Sequence, residues 1–213
     1  MWWAFAALAA LGYLLGSIPS GLVVGRLVRG IDVREHGSGK TGFTNVLRTV
    51  GVRWGVLVLA ADLAKGALPV LVARLVSDEP YVQTVAGLAA IAGHDWPVYV
   101  GFRGGRGVAT SYGGALAMSP IAALALLPAA AGLVGVTRIM SMMSVGMAPL
   151  LAVLFVVLAA FDLHPWAYAV YAVIAAALLL VLHRENLRRL LAGTEPKLGQ
   201  GRERREGPAR VDP

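Results

Sequence analysis

The sequence predicts an all-α, polytopic membrane protein of about seven transmembrane helices, with its N-terminus outside and its C-terminus in the cytoplasm. Three observations carry this. Residues are 57% hydrophobic and 15% charged, and mean hydropathy is +0.69; soluble domains run about 45–50% apolar and about 25% charged. Apolar runs recur along the chain, several near the roughly 20 residues that cross a bilayer. Lysine and arginine gather in four places: six in loop 26–53, two in turn 103–106, one in turn 137–143 and eight after Leu182, or 17 of 19. Seven spans put all four on one face, and basic loops mark the cytoplasmic side. An even number would split them.

The first helix is expected over about 3–25, kinked at Gly16-Ser17-Ile18-Pro19-Ser20-Gly21. The second covers about 52–75 and the third about 82–99, broken by His94-Asp95-Trp96-Pro97. The fourth starts near Gly107 and ends near Ser119-Pro120. The fifth, sixth and seventh cover about 121–135, 145–161 and 165–182. The opposite loops then carry Asp78-Glu79, Ser119-Pro120 and 162–164. Segment 1–17 lacks a basic n-region and its apolar run continues past any cleavage site, so it reads as a retained helix. Residues 1–198 form a single transmembrane domain, and 199–213 a basic tail expected to be disordered, with weak attraction to anionic lipid. The chain has no cysteine, which excludes disulfides, thiolate metal sites and a cysteine nucleophile. The net charge of +7 reports topology and implies no nucleic-acid partner. No obligate protein partner is inferred.

The chemistry concentrates in loop 30–48. It holds glycines at 30, 37, 39 and 42, the basic or imidazole groups of Arg34, His36, Lys40 and Arg48, and the polar groups of Ser38, Thr41, Thr44 and Asn45. Glycine-rich backbone exposes N–H groups, and successive N–H groups make anion-binding concavities. A plain helix–helix connection would be shorter, roughly 2–8 residues. Gly-Ser-Gly-Lys-Thr suggests a Walker A loop, but Arg34 stands where that motif needs its first glycine, and a long apolar segment precedes it instead of a strand.

Residues 101–110 form a second anion site, with Arg103 and Arg106 on a turn containing Gly104 and Gly105 that opens a helix. A lone arginine at a helix end is usually a snorkelling topology marker; the flanking glycines are not needed for that. Segment 137–144, with Ser141 and Ser144, and His183-Arg184-Glu185-Asn186 complete four polar clusters on one face. Two glycine-rich basic turns there suggest a ligand with two phosphates or two phosphorylated ligands. Asp62 and Lys65 share a helix face and read as a structural ion pair ahead of a substrate contact. His94 reads as a hydrogen-bonded structural histidine and His164 as an inert one outside. The histidines lack carboxylate–histidine spacing, so no metal site and no cofactor is expected.

Together, Gly16-Ser17-Ile18-Pro19-Ser20-Gly21, the Gly-Ser-Gly loop closing on Thr44-Asn45-Val46-Leu47-Arg48, Asp62-Leu63-Ala64-Lys65-Gly66, the 101–110 turn, and His183-Arg184-Glu185-Asn186 followed by Gly193-Thr194-Glu195 resemble the bacterial acyl-phosphate:glycerol-3-phosphate acyltransferases of the PlsY type. The likeness runs from about 11 to 198 with the motifs in order. It implies a seven-helix enzyme of the bacterial inner or plasma membrane, with its site on the cytoplasmic face. The enzyme would move an acyl chain from acyl phosphate to the first hydroxyl of sn-glycerol 3-phosphate, without acyl-CoA or a metal. Carried over by position, Ser38, Arg48, Ser144, His183 and Asn186 fall on family residues implicated in binding or catalysis. Arg103 and Arg106 stand where lysine is usual, Lys40 where asparagine is, and Phe43 where alanine is. Arg and Lys differ in donor geometry, so these changes bear on the donor site.

The expected mechanism is direct attack with no acyl-enzyme, since acyl phosphate is already activated and the protein has only to position and offset charge. Ser38, Arg106, His183 and Asn186 are the candidate catalytic residues. Gly37, Gly39, Lys40, Asn45, Arg48, Arg103, Gly104, Gly105, Ser141 and Ser144 are the candidate substrate-binding ones. Arg106, Lys40 and the amides of 37–39 would hold phosphate; Arg48, Ser144 and Asn186 would orient glycerol phosphate. His183 would orient the attacking hydroxyl or accept its proton, unless a donor phosphate oxygen takes it. The rival reading is a transporter or flippase for an organic phosphate or phospholipid precursor, which would place its polar site near the midplane.

Overall fold

The computed structural model describes residues 2–199, and every described element is helical. The expected tail lies, beyond Gly199, outside the described residues. The chain runs as α1 (Trp2–Gly16), α2 (Ser20–Arg29), a 3-10 turn at Val33–Glu35, α3 (Phe43–Thr49), α4 (Val52–Val76) and α5 (Pro80–Asp95). A second 3-10 turn at Val98–Val100 precedes α6 (Val108–Met118). Then come α7 (Pro120–Ala125), α8 (Leu127–Thr137), α9 (Met140–Ala160), α10 (Trp166–Leu182) and α11 (Arg184–Leu191).

Four stretches are long and apolar enough to cross a membrane: Trp2–Arg29, Val52–Val76, Pro120–Thr137 and Met140–Ala160. A fifth arises if α10 and α11, bent by 64° at His183, count as one broken span. The protein is therefore an all-helical, multi-pass membrane protein. α5 and α6 have only 16 and 11 residues, shorter than a full crossing.

Several boundaries depart from the sequence reading. The first helix is interrupted, not merely kinked: α1 stops at Gly16, and Pro19, which lacks an N–H, precedes α2. The third expected helix ends at Asp95 instead of Tyr99, because Pro97 and the left-handed Gly101 turn the chain. The fifth is split at Leu126 into α7 and α8. The sixth starts at Met140, five residues early, so Ser141 and Ser144 sit on helix and not in a loop.

The main core packs Val70, Ile91, Met118, Phe155, Tyr168 and Tyr171 between α4, α5, α6, α9 and α10. Helices approach closely through small residues, as membrane helices do. Gly12 and Gly16 lie against the Ala86 and Ala90 carbonyls, and Gly66 against that of Thr110. Three polar groups at depth are bonded across helices: Tyr171 donates to Ser111 O at 2.8 Å, Tyr168 to Gln83 at 2.6 Å and Thr84 to Ala167 O at 2.8 Å. Without water each would be costly unmade. By contrast α8 has no buried residue, and Trp2, Leu75, Ile121 and Val136 stand at least 85% exposed, forming an apolar outer surface. A separate small cluster of Val33, Val46, Val50 and Val58 pins loop 30–48 onto α4.

Candidate active site

Loop 30–48 is built around Asn45. Its side chain is buried; Nδ2 donates to the carbonyls of Val33 (2.7 Å), Lys40 (2.8 Å) and His36 (3.2 Å), and Oδ1 accepts from Ser38 N at 2.9 Å. One side chain thus makes four bonds to the backbone of the loop. Gly37 has φ +56°, and the Asn45 amide oxygen occupies the space a Cβ there would need. Gly39 is left-handed too, and its amide donates to His36 O at 3.0 Å. The amides of Ser38 and Gly39 are therefore turned inward. This corrects the expected amide cradle: the loop presents side chains, Ser38, Lys40 and, from α3, Arg48.

The glycines of the second turn are likewise explained by packing. Gly104 lies on the His94 carbonyl, Gly105 on the His94 ring at Nε2, and a Cβ on Gly107 would come 3.2 Å from both Asp95 carboxylate oxygens. Gly105 N also donates to His94 O at 3.0 Å. The turn rests on the end of α5, and side chains there would lift it. Gly104 and Gly105 are buried, while Arg103 is exposed. His94 is buried, but its Nδ1 makes no hydrogen bond and stands 3.8 Å from Asp62 Oδ1. The expectation of a hydrogen-bonded His94 is thus corrected: the ring serves as a packing surface. Asp62 and Lys65 do form the expected buried pair, at 2.9 Å, with Lys65 Nζ also on Ile18 O at 2.9 Å. His164 contacts Ser119 Oγ at 2.7 Å between the rings of Phe155 and Tyr168, and so helps pack the far end.

Glu195 organises the third and fourth clusters. It accepts from Arg189 Nε at 2.6 Å, Asn186 Nδ2 at 2.6 Å and Ser141 Oγ at 2.8 Å. Burial would raise its pKa, but these hydrogen bonds, Arg189's foremost, hold it below the ordinary value. Sequence reasoning quoted Glu195 within a motif and gave it no role. The cue was three polar side chains on two helices with no acceptor of their own. Arg48 Nη2 adds a bond to Pro196 O at 3.3 Å, tying the loop to this segment. Ser144 donates back to Met140 O at 3.1 Å.

These pieces surround one cavity of about 370 Å³. At one end converge Ser38, Lys40, Arg48, Arg106, His183 and Asn186, with Asn45, Ser141, Ser144, Arg189 and Glu195 beside them. Thr44, Asp62, His94 and Ser111 also touch it, but most of the rest is apolar, walled by Tyr112, Leu127, Met143, Met147, Leu151 and Tyr171 from α6, α8, α9 and α10. Gly37, Gly39, Arg103, Gly104 and Gly105 are off its wall. Burial and the neighbouring Arg106 charge hold the Lys40 pKa below an ordinary lysine's.

The acceptors are also placed. His183 Nδ1 lies 2.9 Å from Leu179 O, which can only accept, so in the neutral ring Nδ1 carries the proton and Nε2 is the acceptor. Asn186 spends its NH₂ on Glu195, which fixes the amide, and its Oδ1 is buried without a partner among the described residues. The site therefore offers cations and hydroxyls at one place and two open acceptors at another. Among the described residues no cluster of His, Asp and Glu is arranged to hold a metal.

A family model described as glycerol-3-phosphate acyltransferase matches residues 6–193. The chain is 46% identical over 193 residues to a glycerol-3-phosphate acyltransferase of Parasynechococcus marenigrum, covering 91% of this chain and 89% of that one. It is 44% identical over 203 residues to glycerol-3-phosphate acyltransferase 3 of Dehalococcoides mccartyi, covering 88% and 93%. Two crystal structures of PlsY (YgiH), an integral membrane glycerol 3-phosphate acyltransferase, share its fold at 38% identity. The glycerol 3-phosphate form gives a TM-score of 0.82 and covers 92% of this chain and 96% of that one. The lysophosphatidic acid form gives 0.83, with 92% and 95% covered.

Proposed function

The chain belongs to the glycerol-3-phosphate acyltransferase family, PlsY type, and from that premise we propose how its cavity carries out the reaction. The protein is an integral-membrane enzyme that acylates glycerol 3-phosphate to lysophosphatidic acid. The donor we assign is an acyl phosphate. One observation carries this: Lys40, Arg48 and Arg106 line the same cavity as a long apolar wall. Lys40, Ser38 Oγ and Arg106 take the donor phosphate. Arg48 takes the acceptor's phosphate. The acyl chain lies along α6, α8, α9 and α10.

The first hydroxyl of glycerol 3-phosphate attacks the acyl carbonyl carbon directly. The carbon–oxygen bond to phosphate breaks as the ester forms, and the hydroxyl proton leaves to His183 Nε2 or to the departing phosphate. His183 Nε2 and Asn186 Oδ1 receive the glycerol hydroxyls, since both are acceptors. Ser141 is held by Glu195 and Ser144 bonds back to its own helix, so both shape the wall. Asn45, Gly37, Gly39, Gly104 and Gly105 hold the loops, and Arg103 adds positive potential at the rim. Seven crossings, with α5 and α6 as the short ones, put the basic loops and the site on the cytoplasmic face and the N-terminus outside. The enzyme would reside in a bacterial inner or plasma membrane.

The test gives purified protein palmitoyl phosphate and glycerol 3-phosphate, and follows phosphate release and lysophosphatidate, with palmitoyl-CoA in parallel. Turnover with acyl phosphate alone supports the assignment. Turnover with the CoA ester alone refutes the donor.

A further inference from the structure

The cavity follows one face of α10. It meets Tyr171, Ala172, Ala175, Ala176, Leu179 and, at the bend, His183. Steps of three and four keep these on one side of a helix. From His183 back to Tyr171 the chain covers roughly 18 Å of helix. On α9 the lining positions run from Met140 to Leu151 and stop there. Both faces continue past these ends, but as packed core. Ala167 and Tyr168, one turn before Tyr171, and Phe155, one turn after Leu151, belong to the main core and are off the cavity wall. Tyr171 therefore stands where the open lobe gives way to closed core, at the end away from His183. Its ring is fixed there. It is 1% exposed, and its hydroxyl donates to Ser111 O at 2.8 Å. A Cβ on Gly87 of α5 would come 2.8 Å from the ring, and one on Gly114 of α6 would fall on the hydroxyl. Two neighbouring helices thus each omit a side chain to seat it. An interior packed this closely does not take an extra methylene without strain.

We propose that Tyr171 is the floor of the acyl lobe and sets the longest acyl chain the enzyme transfers, with Ala172 and Ala176 keeping the way to it open. The carbonyl carbon of the donor lies beside His183, and the methyl end of the chain points at the tyrosine ring. A chain longer than the lobe must fold back or draw its carbonyl away from the polar end. One methylene too many in a fitted apolar pocket costs about tenfold in kcat/KM. A side chain larger than alanine at 172 or 176 raises the floor, and one smaller than tyrosine at 171 lowers it.

This rests on the proposed seat of the acyl chain, and the experiment keeps the two apart. Purified protein receives glycerol 3-phosphate and an equimolar mixture of saturated acyl phosphates from decanoyl to eicosanoyl. Mass spectrometry reads the lysophosphatidates by chain length, a ratio that does not depend on how much enzyme is folded. Wild type is expected to show a length beyond which product falls about tenfold. Tyr171→Leu should move that limit to longer chains, and Tyr171→Phe, which keeps the ring, should leave it in place. Ala172→Leu should move it to shorter chains, and Ala176→Leu, one turn nearer His183, further still. A wild type without a limit, a limit that moves as far in Y171F as in Y171L, or one that the alanine variants leave alone would each overturn the floor. Should Y171L not fold, the two alanine variants still decide. If wild type turns over no acyl phosphate, the donor assignment fails, and calorimetric binding of lysophosphatidates of the same lengths to the same proteins reads the floor without it.

Discussion

Replacing Glu195 with Gln should loosen the third and fourth clusters together. The carboxylate side chain is 7% exposed and accepts bonds from Arg189, Asn186 and Ser141, all at 2.8 Å or less. Hydrogen bonds to charged groups contribute about 1.5–3 kcal/mol each. Arg189 is 25% exposed, so its share is discounted for solvent screening. Glutamine keeps one acceptor oxygen, so its NH₂ faces either Arg189 or the Ser141–Asn186 pair, and at least one bond becomes a clash of like partners. The net loss is about 2–4 kcal/mol, which for a chain of this size shifts thermal unfolding down by roughly 5–12 °C. The function should suffer by a particular route: Asn186 loses the bond that fixes its amide, so KM for glycerol 3-phosphate rises more than KM for the donor. The assay is thermal unfolding in detergent beside two-substrate kinetics. An E195Q protein that melts within about 1 °C of wild type, with both KM values unchanged, would refute the reasoning.

Gly105→Ala places a methyl group on the His94 ring and should displace Arg106, raising KM for acyl phosphate about tenfold or more; normal kinetics would show that the turn can move. His183→Ala should cut kcat by about 100-fold with little change in KM, the usual size of a lost acid–base group, and unchanged turnover would remove the residue from the chemistry. Because the Lys40 pKa is held below an ordinary lysine's, the cradle loses this charge early on the alkaline side. KM for acyl phosphate should therefore rise as pH climbs toward the lysine range, and Lys40→Arg should abolish that rise; an identical profile in the Arg variant would assign it elsewhere. Glu195 has a lowered pKa, so its stabilisation is full above the ordinary 4.5 and is lost as pH falls through its depressed value. Melting temperature should drop below about pH 4.5 in wild type and stay flat in E195Q.

The membrane class was legible because apolar composition and long apolar runs are summed over the whole chain, and a few misplaced residues change neither. The helix ends were less legible. Pro19 and Pro97 mark breaks, but hydropathy continues through them, so the first helix reads as merely kinked and the third as too long. The cluster residues were found by type, and most do line one cavity. Their roles were not legible. Asn45, Gly104 and Gly105 look like ligand contacts in sequence, where an amide or a flexible backbone beside an arginine suggests binding. In space they are consumed by the fold, because an anion loop must first satisfy its own buried backbone. Glu195 escaped for the opposite reason: an acid near a phosphate site seems unhelpful until its three donors, brought from α9 and α11, are seen around it.

That inward use of polar groups determines how a substrate must lie. The amides of Ser38 and Gly39 are bonded within the loop, so the donors that Ser38, Lys40, Arg48 and Arg106 offer the cavity from this end are their side chains. The open acceptors, His183 Nε2 and Asn186 Oδ1, are supplied by the bend at the end of α10 and by α11. Glycerol 3-phosphate has acceptors on its phosphate and donors on its hydroxyls. Reversed, it would set phosphate oxygens against two acceptors and leave its hydroxyls among cations. Each mispaired buried group costs about 1–3 kcal/mol, so the reversed pose loses by several such terms. In the proposed reaction, regiochemistry would follow from the tautomer of His183 and the orientation of one amide. Both are set by partners that never touch the substrate: the Leu179 carbonyl and Glu195.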